Sequence, residues 1–139
     1  MKKAVLSVGL LALVMTAVAA EFQVYPGAAT EDFAAWLEKH PEVKAPPGVH
    51  VTRYTTPDPL DKVVAFYAAK GTETDPERVL KLTTGEEIHM RTIILDGAHD
   101  VGTSKLFVRV QRPYFDFITP ELRGEGKRDS TAIEIITRD

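Results

Sequence analysis

The stretch from Val49 to Gly71 constrains the fold more than any other part of the sequence, because it joins a strand pattern to a helix pattern. Apolar and polar residues alternate from Val49 to Thr55, which predicts a β-strand. Pro57-Asp58-Pro59 then forms a turn, and residues 59–70 carry apolar side chains at helical spacing. A helix with one apolar stripe needs a surface to cover, so the stretch predicts a helix packed on a sheet.

The predicted helix runs from Pro59 to Lys70. Asp58 is the expected N-cap, because its carboxylate can accept hydrogen bonds from the unpaired N–H groups of the first turn. Gly71 is expected just after the helix, where a left-handed residue commonly ends it. We expect the apolar stripe to be buried. Its members are Leu60, Val64 and Tyr67, widened by Val63 and Phe66.

Most of the chain after this helix alternates apolar and polar residues in runs of strand length. The runs predicted as strands are Arg78 to Thr83, Glu87 to Leu95, Lys105 to Gln111 and Ser130 to Thr137. The first two form a hairpin, in which Gly85 supplies the positive φ of a tight turn. The run from Lys105 to Gln111 alternates so regularly that one face should be buried and the other solvated. The short connections predict an antiparallel sheet.

A second, shorter helix is predicted over residues 31–39, where His40-Pro41 ends it. Trp36 on this helix is either a core anchor or an aromatic platform for a ligand, and packing is the more common role. The predicted fold class is therefore α+β. It consists of an antiparallel sheet of four or five strands packed on one main helix, 59–70, with a short N-terminal helix, 31–39.

The first 20 residues have the organisation of a secretory signal peptide. Lys2-Lys3 precede a charge-free run, Ala4 to Ala20, that ends in small residues. An uncleaved anchor is the alternative, but the run is shorter than the ~20 apolar residues that span a bilayer. We therefore expect cleavage after Ala20, no stable membrane insertion afterwards, and a single domain over residues 21–139 in the periplasm or outside the cell.

The composition excludes several classes of function. The sequence has no cysteine, which excludes disulfides, thiol catalysis and thiolate metal sites. Without Lys2 and Lys3, 15 of the 17 Lys and Arg remain against 20 Asp and Glu, a net charge of −5 with His neutral. Because no basic run offsets this charge, nucleic acid is not an expected partner. No phosphate-binding loop, dinucleotide fingerprint or nucleophile elbow is present, so no cofactor and no catalytic residue are assigned.

Four segments resemble a group of uncharacterised exported bacterial proteins. They are Tyr25-Pro26-Gly27-Ala28, Tyr54-Thr55-Thr56-Pro57-Asp58, Asp61-Lys62-Val63-Val64-Ala65-Phe66-Tyr67 and Thr131-Ala132-Ile133-Glu134-Ile135. The resemblance implies export and a small α+β domain. It implies no particular activity, because the shared segments are turn, helix and strand patterns rather than catalytic motifs.

Two groups of side chains suit binding or catalysis. His89 and Arg91 lie two apart on one predicted strand and so point to the same side, where they can bind an anion or act as acid and base. A solvated row of ion pairs is the more common arrangement. Asp96, His99 and Asp100 share a glycine-rich loop that suits a metal or a plain turn. The loop lacks the ligand spacing of an EF-hand, so no metal site is predicted.

The aromatic segment from Tyr114 to Ile118 either forms an exposed patch for a partner or covers one end of the sheet, and the second role is more usual. The functional prediction is a non-enzymatic exported domain that binds an unknown envelope protein or small ligand. Its predicted contacts are Tyr114, Phe115, Phe117, His89 and Arg91. The alternative is a small envelope hydrolase or metal-dependent enzyme. Such an enzyme would use His89, or His99 with Asp96 and Asp100.

Overall fold

The protein is mostly β, with seven strands in one antiparallel sheet among the residues that the structure describes. The computed structural model describes residues 23–31, 37–43, 46–74, 77–82, 85–114 and 129–139. The strands are β1 (Ala29–Glu31), β2 (Val49–Thr56), β3 (Thr72–Glu73), β4 (Arg78–Lys81), β5 (Glu87–Ile94), β6 (Leu106–Arg112) and β7 (Thr131–Arg138). Helix α1 (Leu60–Ala68) follows β2, and residues 37–39 are also helical. Within the described ranges, no helix is long and apolar enough to cross a membrane.

The predicted α+β class is wrong. It placed four or five strands on one main helix, whereas seven strands form the sheet and α1 has only 9 residues. The predicted N-terminal helix, 31–39, is wrong at its start, because Glu31 is the last residue of β1. Residues 32–36, including Trp36, lie outside the described part of the chain, as does the predicted signal peptide, 1–20.

The strands lie in the order β1-β2-β7-β6-β5-β3, and β4 pairs with β5 beside β3. All neighbouring strands are antiparallel, which confirms the predicted direction of the sheet. β3 and β4 occupy successive parts of the same edge of β5, since Thr72 pairs with Ile94 and Arg78 pairs with Met90. One edge of the sheet is therefore β1, and the other is formed by β3 and β4.

Helix α1 covers part of one face of the sheet. Leu60, Val63, Val64 and Tyr67 are buried on this face, as the spacing predicts. They pack against apolar residues of four neighbouring strands, β2, β7, β6 and β5. These partners are Tyr54, Ile93, Val108, Val110, Ile133 and Ile135. Full burial of an aliphatic side chain contributes about 1.5–3 kcal/mol, so this cluster is a major source of stability.

The opposite face of the sheet is also buried in large part. Ile88, Ile94, Phe107 and Ile136 all lie below 9% exposure on this face. Ala98 and Val101, from the loop between β5 and β6, pack against the cluster that Ile94, Phe107 and Ile136 form on this face. The prediction that the second face of the Lys105–Gln111 strand is solvated is therefore wrong.

The ends of α1 differ from the predicted ends. The helix begins at Leu60 after Pro59, and no side chain caps its first turn. The Asp58 carboxylate instead accepts a hydrogen bond of 2.6 Å from the Tyr25 hydroxyl, which lowers the pKa of Asp58. Gly71 does not have positive φ, whereas Gly85 does, at 89°, as predicted for the hairpin.

Tyr67 ties the segment before β1 to the helix. Its hydroxyl accepts a hydrogen bond of 3.1 Å from the backbone N–H of Tyr25 and donates one of 3.0 Å to the carbonyl of Gln23. Burial raises the pKa of Tyr67 to about 12, so the hydroxyl keeps its proton at neutral pH. The buried ring and both hydrogen bonds hold the two parts of the chain together.

Candidate functional site

A row of polar side chains crosses the sheet on the face opposite α1. Its members occupy directly paired positions on five neighbouring strands, and the charges alternate along the row. From β1 to β5 the members are Glu31, Arg53, Glu134, Arg109 and Thr92. We call this set the polar row. Directly paired residues have Cβ atoms about 4.5–5.5 Å apart, so each charge has an opposite charge on a neighbouring strand.

The polar row lies beside an apolar row on the same face. The paired positions two residues along the strands are all apolar. They are Val51, Ile136, Phe107 and Ile94. The five members of the polar row are each half-buried. Half-burial of charged groups has a desolvation cost unless partners compensate it, so the partners of each charge decide what the row can do.

Tyr114 organises the end of the polar row that lies on β1 and β2. The Nη1 group of Arg53 donates a hydrogen bond of 3.1 Å to the Tyr114 hydroxyl, which donates one of 3.0 Å to Glu31. Arg53 Nη2 also lies 3.5 Å from a carboxylate oxygen of Glu134. Burial raises the pKa of Tyr114 to about 12, while the charges of Arg53 and Glu31 act on it in opposite directions. The protonated hydroxyl therefore bridges the arginine and the glutamate.

Arg109 lies towards the other end of the polar row. It faces Glu134 on β7 and Thr92 on β5. Within the described part of the chain, its guanidinium makes no hydrogen bond or ion pair, because the carboxylate of Glu134 lies close to Arg53 instead. A guanidinium has five N–H donors. Arg109 is a half-buried residue that thus brings a positive charge with unused donors to this face.

The predicted pair His89 and Arg91 lies on the other face, beside α1, and carboxylates surround it. Arg91 donates two hydrogen bonds to Glu73, of 2.6 and 2.8 Å, and a third of 3.1 Å to Asp61. The hydrogen bond with Glu73 raises the pKa of Arg91. His89 Nδ1 lies 3.0 Å from a carboxylate oxygen of Glu77. The donors of Arg91 thus hold β3 and α1 to β5, and a ligand role for this pair stays a prediction.

Of the three aromatic residues predicted to contact a ligand, Tyr114 is the one that lies among the described residues. Tyr114 is 6% exposed, and its hydroxyl serves the polar row. Phe115 and Phe117 lie outside the described residues, as does Ile118. The structure therefore brings Tyr114 close to Arg53 and separates it from His89 and Arg91 by the thickness of the sheet. Ligand contact by the aromatic segment stays a prediction.

The loop with Asp96, His99 and Asp100 is held together by its own carboxylates. Asp96 accepts hydrogen bonds from the Ser104 hydroxyl at 2.8 Å and from the backbone N–H of Lys105 at 2.7 Å. Asp100 accepts one from the N–H of Thr103 at 2.9 Å, and His99 is exposed. Across the described ranges, no three His, Asp or Glu residues form a group that could hold a metal. These contacts are typical of a structural loop.

Asp96 makes the stability of this loop depend on pH. Burial alone would raise the pKa of Asp96, but hydrogen bonds from Lys105, Ser104 and Ala98 outweigh it and lower the pKa below 3.8. A carboxylate with a lowered folded-state pKa contributes stability above its unfolded pKa, and this contribution is lost as the pH falls through the folded pKa. We expect Asp96→Asn to lower the free energy of unfolding by about 1 kcal/mol at pH 7, since charge-assisted bonds at an exposed site are worth little more.

The measurement for Asp96 is urea unfolding between pH 7 and pH 2.5. The difference between Asp96→Asn and the wild type should shrink below pH 3.8, the usual pKa of an aspartate, because protonation removes the same charge. Asp129→Asn, an exposed position with the same change in charge, is the control and should change stability little. A difference that stays constant down to pH 2.5 would contradict the assigned role.

The sequence pattern misses Arg109 and Glu134 as site residues. Alternation along the strand places Arg109 on the face opposite Val108 and Val110, but the pairing register across four strands is not visible in the sequence. The available signal is Glu134 itself, a single charge in the apolar run Ala132-Ile133-Glu134-Ile135-Ile136. A charge in a strand that is buried on both faces needs a partner across the sheet.

Comparison with known proteins identifies no relative: no family model, no curated protein and no solved structure matches this chain. The resemblance to a group of exported bacterial proteins therefore stays a prediction. The function must be inferred from the polar row and from the other surfaces of the described residues.

Proposed function

We propose that this protein is a non-enzymatic exported domain that binds a small ligand with a carboxylate or phosphate group at Arg109. The observation that carries the proposal is the guanidinium of Arg109, a half-buried residue, which has no hydrogen-bonding partner among the described residues. The planar fork of a guanidinium matches the two oxygens of a carboxylate or phosphate. The proposed location follows from the signal-peptide pattern of residues 1–20.

The charge order of the polar row supports an anion at this position. Glu31, Arg53, Glu134 and Arg109 alternate in sign, and the row ends at the neutral residue Thr92. An anion between Arg109 and Thr92 would continue the alternation. The hydroxyl of Thr92 adds a neutral donor next to the guanidinium. At the other end of the row, Arg53 and Glu134 already form such a pair of opposite charges.

Binding rather than catalysis fits the groups at this position. An arginine stays protonated at physiological pH and so does not act as a general base. A threonine hydroxyl becomes a nucleophile when a base removes its proton. The carboxylates of the polar row, Glu31 and Glu134, lie on β1 and β7, which do not pair with the strand that carries Thr92. The row is held by cross-strand pairing on rigid elements, which suits a preformed binding site.

The proposal predicts that Arg109→Gln weakens anion binding at least about tenfold, because charge-assisted hydrogen bonds are worth about 1.5–3 kcal/mol. The measurement is a titration with inorganic phosphate, and separately with acetate, at constant ionic strength, followed by the backbone amide NMR shifts. The shifts of the wild type should change most at Arg109, Thr92 and Glu134. The comparison of the two anions distinguishes a phosphate from a carboxylate ligand.

Arg78→Gln is the matched control, because it removes one arginine from the exposed edge strand β4. It should leave the affinity for both anions unchanged. Equal affinities of Arg109→Gln and the wild type, or shift changes scattered over the surface, would contradict the proposed site. Circular dichroism of each variant shows whether the sheet is intact.

A further inference from the structure

Strand β4 is an exposed edge of the sheet. It pairs only with β5 among the described strands, and all four of its residues are exposed. Val79 is 46% exposed and Leu80 38% exposed, which makes them two of the three large exposed hydrophobic residues in the described part of the chain. An edge strand with outward N–H and C=O groups is a template for pairing with another strand.

The hairpin hydrogen bonds determine which backbone groups of β4 point outward. The N–H of Leu82 donates to the carbonyl of Glu86 at 2.8 Å, so this directly opposed pair is a hydrogen-bonded pair. Hydrogen-bonded and non-hydrogen-bonded pairs alternate along an antiparallel ladder. Leu80 is therefore hydrogen-bonded to β5, whereas Val79 and Lys81 direct their N–H and C=O groups away from it. Glu77 precedes β4, and extension of the strand by one residue on pairing would turn its backbone outward as well.

Antiparallel pairing of β4 with a second copy must place outward residues opposite outward residues. This leaves registers with the two-fold axis at one of the positions from 77 to 81. An axis at Glu77, Arg78 or Lys81 would place that residue opposite itself, and like charges opposite each other are destabilising. An axis at Leu80 pairs no opposite charges. An axis at Val79 places Glu77 of each copy opposite Lys81 of the other.

We propose that the protein self-associates through β4, in the antiparallel register with Val79 on the two-fold axis. This register forms about six backbone hydrogen bonds, at three hydrogen-bonded pairs, when Glu77 extends β4 by one residue. It also places the two exposed Val79 side chains against each other and forms two Glu77–Lys81 pairs. Lys81 on an edge commonly discourages pairing, but here its partner is a carboxylate. The short contact predicts a weak dimer with one continuous sheet.

The test is sedimentation velocity of the purified protein over a concentration series up to about 1 mM. This range detects a dimer with a dissociation constant as weak as about 1 mM. The wild type should self-associate. Lys81→Glu and Glu77→Lys, each alone, should weaken self-association about tenfold or more, because each places like charges opposite each other twice. An equimolar mixture of the two variants should recover association, since both pairs then have opposite charges.

Arg78→Glu is the matched control, because it makes the same change in charge as Lys81→Glu on the other side of the strand. In the proposed register Arg78 lies opposite Leu80, so this variant should associate nearly as well as the wild type. A wild type that stays monomeric to about 1 mM overturns the proposal. Association that Lys81→Glu leaves unchanged, or a mixture that stays monomeric, overturns the register. Circular dichroism of the single variants excludes loss of folding as the cause.

Discussion

Replacing Tyr67 by Ala is expected to lower the free energy of unfolding by about 3–5 kcal/mol, the usual cost of removing a buried aromatic ring. The Tyr67 side chain is fully buried between α1 and the sheet, at 0% exposure. Its ring also meets that of Phe66 edge to face, with centroids 5.0 Å apart. The loss therefore combines a cavity in the main core with the release of the segment that includes Gln23 and Tyr25.

Tyr67→Phe separates the contribution of the ring to the free energy of unfolding from that of the hydroxyl. This variant keeps the buried ring but leaves the N–H of Tyr25 and the carbonyl of Gln23 without the hydroxyl that joins them. We expect a loss of about 1–3 kcal/mol, because the buried N–H of Tyr25 is left unsatisfied. Urea unfolding followed by circular dichroism measures both variants. A loss below about 1 kcal/mol for Tyr67→Ala would show that the ring is not a core residue.

The regular elements of this fold could be predicted from local patterns, because long strands and a helix repeat their apolar positions. β5, β6 and β7 begin and end within one residue of the predicted bounds. β1 and β3 have three and two residues, too few for any alternation, and the sequence pattern predicts neither of them as a strand. Because these two edge strands leave no local signal, the sequence predicts a smaller sheet and a longer helix than the structure has, and hence the wrong fold class.

The functional surfaces depend on pairing register, which is a tertiary property. Arg53, Glu134 and Arg109 are separated by long stretches of sequence and become neighbours only because β2, β7 and β6 pair at those positions. His89 and Arg91 were found because two residues on one strand share a face, but their carboxylate partners come from other elements. A local pattern thus identifies which side of a strand a residue occupies, and the sheet order decides what it meets.

Asp58 shows how a local signal can serve another purpose. The sequence Asp58-Pro59 is typical of a helix start, and the helix does start there. However, the carboxylate is used by Tyr25, whose pKa rises to about 12 through this hydrogen bond. A distant hydroxyl and the first turn compete for one acceptor, and the strong contact of 2.6 Å with Tyr25 prevails.

Gly71→Ala is the second variant with a large expected effect. A Cβ atom at position 71 would overlap the backbone carbonyl of Ile94 and lie 2.9 Å from the Leu95 side chain. Position 71 directly precedes β3, whose Thr72 pairs with Ile94, so relief would require movement of β5 or loss of the pairing between β3 and β5. We expect a loss at or above the upper end of the range of about 1–3 kcal/mol for overpacking. Urea unfolding measures this loss.

The choice of substitution distinguishes the steric explanation from the left-handed conformation that the sequence predicts for Gly71. A left-handed position tolerates Asn much better than Ala, because the Asn side chain can bond locally. A position without room for Cβ rejects both equally, so Gly71→Asn should be as destabilising as Gly71→Ala. Gly97→Ala is the control, because Gly97 has φ of 77° and nothing within 4 Å of its Cβ position. It should lose only about 1–2 kcal/mol from backbone strain. If Gly71→Asn proved mild, a left-handed Gly71 would replace the close approach to β5 as the explanation.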